Sequence, residues 1–95
     1  MGEAAESLRL DKFLWFARIV KTRALAQAMA EEGRLRLNGR VIDKAHAIVR
    51  VGDVLGFARH GDVRVLKVEA LPRRRGPPAE ARTLYSELTS EAGQA

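Results

Sequence analysis

No cysteine occurs anywhere in the sequence, so disulfides and cysteine-ligated zinc sites are excluded. The two histidines, His46 and His60, stand apart with no second imidazole at ligand spacing, and neither a metal nor any other cofactor is expected. No apolar run approaches the ~20 residues needed to span a bilayer. The opening Met1–Ser7 is short, polar and acidic, the opposite of a secretory signal, and the sequence reads as cytoplasmic. A Gly-rich phosphate loop and a nucleophile–base pairing are also lacking. The carboxylates are scattered, and Asp53 and Asp62, each after a glycine, are turn formers first. Neither an enzymatic activity nor a small-molecule substrate is expected.

What is present is basic. Lys and Arg total 17 against 12 acidic residues in 95, a net charge of +5, with 46% hydrophobic residues. That composition fits one folded domain with a modest core and an anionic partner, nucleic acid or an anionic surface. Nine basic side chains (Arg9, Lys12, Arg18, Lys21, Arg23, Arg34, Arg36, Arg40 and Lys44) face only four acids between positions 9 and 44, an excess equal to that of the whole chain. Arginine predominates, and its planar fork can grip phosphate bidentately or stack on a base, which suits folded RNA.

Leu10, Phe13, Leu14 and Ala17 recur at the spacing of an amphipathic helix. Thr22 offers an N-cap for a second helix with core positions Leu25, Ala28 and Met29, an opposite face of Arg23, Gln27 and Ala30, and a stop at Gly33. Lys21 and Arg23 flank the start of that helix, where free N–H groups and the positive dipole end suit a phosphate. The period then becomes two. Leu35 and Leu37 alternate with Arg34 and Arg36, Asn38-Gly39 signals a tight hairpin, and Arg40–Ile42 is the return strand. Further strands are expected at 48–51, 54–58 and 63–68. Two helices followed by an antiparallel sheet make an α+β arrangement. Arg73, Arg74 and Arg75 lie on a Pro/Gly-broken linker expected to fix no geometry. Ala81, Leu84, Tyr85 and Leu88 then repeat at helical spacing, and that helix is expected to cover Trp15.

The ordered set Arg9-Leu10-Asp11-Lys12-Phe13-Leu14-Trp15, Lys21-Thr22-Arg23-Ala24-Leu25-Ala26, Gly33, Leu35-x-Leu37-Asn38-Gly39-Arg40 and Val51-Gly52-Asp53-Val54-Leu55 resembles the alpha-L RNA-binding motif. That motif is the domain of ribosomal protein S-four, of many pseudouridine synthases and of bacterial tyrosyl-tRNA synthetases. The run Lys12-x-Leu14-Trp15-x-Ala17-Arg18, the Arg73-Arg74 pair and Glu80-Ala81-x-x-Leu84-Tyr85 extend the likeness to the small bacterial ribosome-associated heat-shock proteins of the fifteen-kilodalton class. The resemblance implies an S-four-like fold with a short C-terminal helix. It also implies binding to ribosomal RNA on a large ribosomal subunit still carrying nascent chain and peptidyl-tRNA, in the rescue or recycling of stalled translation.

The RNA-facing set it implies is Arg9, Lys12, Lys21, Thr22, Arg23, Gln27, Arg34, Asn38, Gly39, Arg40 and Lys44, to which charge and position add Arg18. Thr22 and Asn38-Gly39 already have structural roles as cap and turn. The expected organisation is a disordered 1–8, an RNA-binding unit over 9–71, a linker over 72–78, a docked helix over 79–90 and a frayed 91–95, acting as a monomer. The alternatives are a targeting module for an RNA-modifying enzyme and a DNA-binding or membrane-surface protein. The first is disfavoured because too few residues follow Leu71 for a catalytic domain, and a DNA reader because the second helix holds mostly Ala, Leu and Met.

Overall fold

A computed structural model describes residues 6–59 and 61–88. Helix α1 (Leu10–Phe16) buries the expected stripe: Leu10, Phe13, Leu14 and Ala17 are all essentially inaccessible. The chain then turns through Arg18, whose φ of 60° lies in the left-handed region, and buries Ile19 and Val20. Their amides donate back to the Leu14 carbonyl at 3.0 and 3.3 Å, which closes the helix end. Thr22 caps α2 (Arg23–Glu31), its Oγ1 accepting the Leu25 N–H at 3.0 Å. At the other end Gly33, at φ 73°, donates to Ala30 and Arg34 donates to Met29, a Schellman closure.

The packed face of α2 differs from the expected one. Ala26, Met29 and Ala30 are buried, whereas Leu25 is 39% exposed and Ala28 only half-buried. The wheel is rotated by about one residue, which brings Arg23 and Gln27 toward α1 and not away from it. The cause is volume. Leu10, Phe13 and Leu14 already fill the space between the helices, so the small side chains of α2 face them and allow close approach.

Strands β2 (Leu35–Leu37) and β3 (Arg40–Ile42) form the hairpin. Asn38 and Gly39 adopt φ of 52° and 86°, the paired positive values of a type I′ turn. Strands β5 (Val54–Arg59), β6 (Asp62–Val68) and β7 (Tyr85–Glu87) complete an antiparallel sheet of order β3-β2-β5-β6-β7. Leu35, Leu55, Phe57, Leu66 and Val68 bury their side chains in one cluster with those of α1 and α2. Separately, β1 (Leu8–Arg9) pairs antiparallel with β4 (Ile48–Val49), a ribbon that no local pattern announced. Leu8 is thereby ordered rather than disordered, and the strand expected at 48–51 ends at Val49. The expectations for 1–5 and 91–95 lie outside the described residues, as does His60.

The helix expected over 79–90 is also corrected. Helix α3 covers only Pro78–Ala81 and tightens into a 3-10 turn at Arg82–Leu84, after which the chain becomes β7 along β6. The open ladder of β6 satisfies backbone groups that a short isolated helix would leave at its end. Ala81 and Leu84 are buried against the core, and Arg64 of β6 donates to both carboxylate oxygens of Glu87 at 3.0 and 2.8 Å.

The linker is not loose. Arg18 Nε donates to the Gly76 carbonyl at 2.7 Å, Arg75 Nε donates to the Trp15 carbonyl at 3.0 Å, and Gly76 is buried. The Arg75 guanidinium also lies over the Trp15 ring, 5.5 Å from its centroid, and the Phe16 ring stands beside it at 5.6 Å, so an arginine of the linker covers the indole. The 72–76 segment is a strap along α1. Arg75→Ala is expected to red-shift Trp15 fluorescence and to lower stability by about 1–2 kcal/mol, checked by emission spectra and urea titration. An unchanged spectrum would mean that the strap does not cover the ring in solution.

Candidate nucleic-acid interface

The centre of the basic face is an acid. Asp11 is fully buried in the first turn of α1. Its Oδ1 accepts from Arg9 Nε at 3.1 Å and from the Lys12 N–H at 2.8 Å. Its Oδ2 accepts from Arg9 Nη2 at 3.0 Å, Arg23 Nε at 3.2 Å and Gln27 Nε2 at 3.1 Å. Burial on its own would raise the pKa of this carboxyl. Hydrogen bonds from Gln27, Arg9 and Arg23, with the charge of Arg23, outweigh that and hold it below the ordinary value of 3.8. The ionised carboxylate thus fixes three expected RNA-facing side chains in one geometry. Arg9 keeps Nη1 for a ligand and Arg23 keeps both terminal nitrogens, on side chains 41% and 36% exposed.

Arg23 also opens α2. Thr22 takes the Leu25 N–H, which leaves the Arg23 and Ala24 N–H groups at the helix start without intrahelical acceptors. Lys21, exposed, stands one residue before the cap. The side chains of Lys12, Lys21, Arg40 and Lys44 make no hydrogen bond or ion pair with a described residue. Arg40 and Lys44 line one groove with Asn38 and His46 beside the hairpin tip.

Other members of the expected set are committed to the fold. Asn38 Oδ1 accepts the Val54 N–H at 2.9 Å while its Nδ2 donates to Asp53 at 3.1 Å, which ties the hairpin tip to β5. Gly39 supplies the second positive φ of the turn. Arg34 pairs with Glu32 at 2.8 Å on the surface, and Arg18 holds the strap. Sequence reasoning placed Asp11 within the motif run and counted it as a charge against the basic set, but gave it no role in the site. A signal was present, because one acid borders the apolar stripe of α1 with arginines two and twelve residues away. Among the described residues no group of three His, Asp or Glu side chains could hold a metal ion, and no helix is long and apolar enough to cross a membrane.

Residues 8–55, from β1 into β5, match the family model of the S4 domain. The chain belongs to the S4-domain family. This S4-domain protein is 42% identical over 83 residues to Heat shock protein 15 of Escherichia coli K12, covering 87% of the chain but 62% of that protein, less than two thirds of its length. It is 40% identical over 82 residues to the RQC P-site tRNA stabilizing factor of Halalkalibacterium halodurans, covering 82% of the chain and 86% of the relative. A solved structure of Heat shock protein 15 from Vibrio cholerae, described as trimeric, superposes with a TM-score of 0.84 at 34% identity, covering 94% of this S4-domain protein and 89% of that chain. The α+β reading and the family resemblance are thereby established.

Proposed function

We propose that this protein binds structured ribosomal RNA on the large ribosomal subunit, next to a tRNA, and acts in the rescue of stalled translation within the cytoplasm. The observation that carries the reading is the buried Asp11 carboxylate, which holds Gln27 and the two arginines Arg9 and Arg23 in one cluster while leaving outer nitrogens of both arginines free. Fixed arginine forks beside helix N–H groups suit phosphates of a folded strand, since little ordering remains to be done on binding. The S4-domain membership and the relatives named for heat shock and for stabilizing a P-site tRNA support the same reading.

Co-sedimentation with separated ribosomal subunits tests it. The best variant removes cations that do nothing for the fold: Lys21→Ala, Arg40→Ala and Lys44→Ala together. Affinity for the large subunit should fall by about 2 kcal/mol, given charged hydrogen bonds discounted for exposure. The slope of log affinity against log salt should become shallower by about 2–3. The melting temperature should not move. Equal retention on both subunits, or an unchanged salt slope, would remove this reading. Arg23 is a poorer choice, because its loss also unsettles Asp11.

A further inference from the structure

A groove runs between α1 and the strap, and its two cations belong to different segments. Lys12 and Phe16 form one wall, one turn apart on α1, and Leu8, Pro72 and Arg73 form the other side. Phe16 lines the groove and is half-buried, its ring 5.6 Å from that of Trp15, while Trp15 itself is covered by Arg75. Arg73 is exposed and Lys12 has no described partner. One acid, exposed Glu6, stands at the mouth and leaves the cations in excess.

We propose that this groove is a second RNA subsite, which takes one unpaired nucleotide with its base against Phe16 and its phosphate between Lys12 and Arg73. The proposal rests on the RNA-binding reading and adds to it a site and a ligand class. Geometry supports it in three ways. Side chains at i and i+4 on a helix stand ~5–6 Å apart, a gap that a nucleotide's base and phosphate can bridge. The strap is fastened at Arg75, which donates to the Trp15 carbonyl, and at Gly76, which accepts from Arg18, so Arg73 reaches the groove from a point two residues before an anchored segment. An aromatic face next to cations is the arrangement that single strands use, with stacking for the base and charge for the backbone. A peptide occupant is less well matched, since the charges favour an anion and the exposed aromatic offers a flat stacking face.

The test uses the full protein and two labelled probes, hexauridylate and an abasic oligomer with the same six phosphates. At low salt the wild-type protein should bind hexauridylate at least about fivefold more tightly than the abasic probe. Phe16→Leu should abolish that preference and leave abasic binding alone. Lys12→Ala with Arg73→Ala should weaken both probes about tenfold and make the salt slope shallower by about 1.5. Equal wild-type binding of the two probes would overturn the subsite. So would a base preference that survives Phe16→Leu, because the base would then stack elsewhere. The comparison of probes on the wild-type protein stands even if Phe16→Leu fails to fold. Large-subunit binding is read on the Lys21, Arg40 and Lys44 variant, which leaves the groove intact. Equal binding of the two probes by the wild-type protein, with large-subunit affinity still lowered by those three substitutions, therefore sinks the subsite alone.

Discussion

Asp11→Ala is expected to lower the free energy of unfolding by about 3 kcal/mol, measured by urea denaturation. Removing one member of a buried ion pair typically costs 3–5 kcal/mol. The lower end applies because the Arg9 and Arg23 side chains are 41% and 36% exposed and can recover water. Asp11→Asn keeps the shape, removes the charge and turns an amide N–H₂ toward donors, and should cost about 2 kcal/mol. The two explanations of RNA affinity then part. Simple charge attraction predicts tighter binding by Asp11→Asn, which removes a negative charge. Preorganisation predicts weaker binding, by about tenfold below the melting temperature, because Arg9, Arg23 and Gln27 are no longer held together. Tighter binding would show that the carboxylate merely subtracts charge. The pH dependence has a definite sign. The folded pKa of Asp11 is depressed, so its stabilisation is complete above the ordinary value of 3.8 and is lost as pH falls through the lower folded value. The stability difference between wild type and Asp11→Asn should shrink over that acid range.

Leu84→Ala should cost about 3 kcal/mol, whereas Leu88→Ala should cost less than about 0.5 kcal/mol. Leu84 is 7% exposed and sits where the 3-10 turn meets the core, its carbonyl accepting from the Glu69 and Ala70 amides. Leu88 is 41% exposed, just beyond β7. A helix through both residues would place them one turn apart on a common face and make the two losses similar. Parallel thermal melts distinguish the two cases, and equal destabilisation would rule out the strand pairing of Tyr85–Glu87.

The features legible in the sequence were those decided within a few residues. The α1 stripe, the Thr22 cap, the Gly33 stop and the Asn38-Gly39 turn each follow from local sterics or periodicity. The phase of α2 was not local. Leu25 is the more hydrophobic choice, yet Ala26 and Ala30 are buried because what matters is the room left by Phe13 and Leu14. β7 was hidden because its strand character comes from the exposed edge of β6, while Ala81, Leu84, Tyr85 and Leu88 fall at helical spacing. The strap was hidden for a related reason. Proline and glycine report a break in regular structure, but not that Arg18 and Arg75 fasten the irregular segment from residues 58 and 60 positions away. For the candidate site, charge pointed to the region in which the Asp11 cluster lies but not to its organiser. The Asp11 cluster is complete only once α1 and α2 pack, and from the sequence its three side-chain donors read as independent RNA contacts and Asp11 as background charge.

The β1–β4 ribbon bears on the order in which this protein comes to life. Arg9 lies opposite Ile48 in the pairing, and the Leu10 amide donates to the Ala47 carbonyl at 2.7 Å. The helical hairpin is a short-range structure and can form within microseconds of its residues becoming free. The backbone pairing of Arg9 instead waits on closure of a loop of roughly forty residues, a slower event whose entropy must be met before any contact rewards it. A chain still being synthesised can therefore form the Asp11 contacts of Arg23 and Gln27 with the helical hairpin, whereas the backbone of Arg9 is paired only after Val49 has been made. Until then it has helices but an unpaired N-terminal strand, and the proposed RNA face is complete only as the first sheet pairing closes.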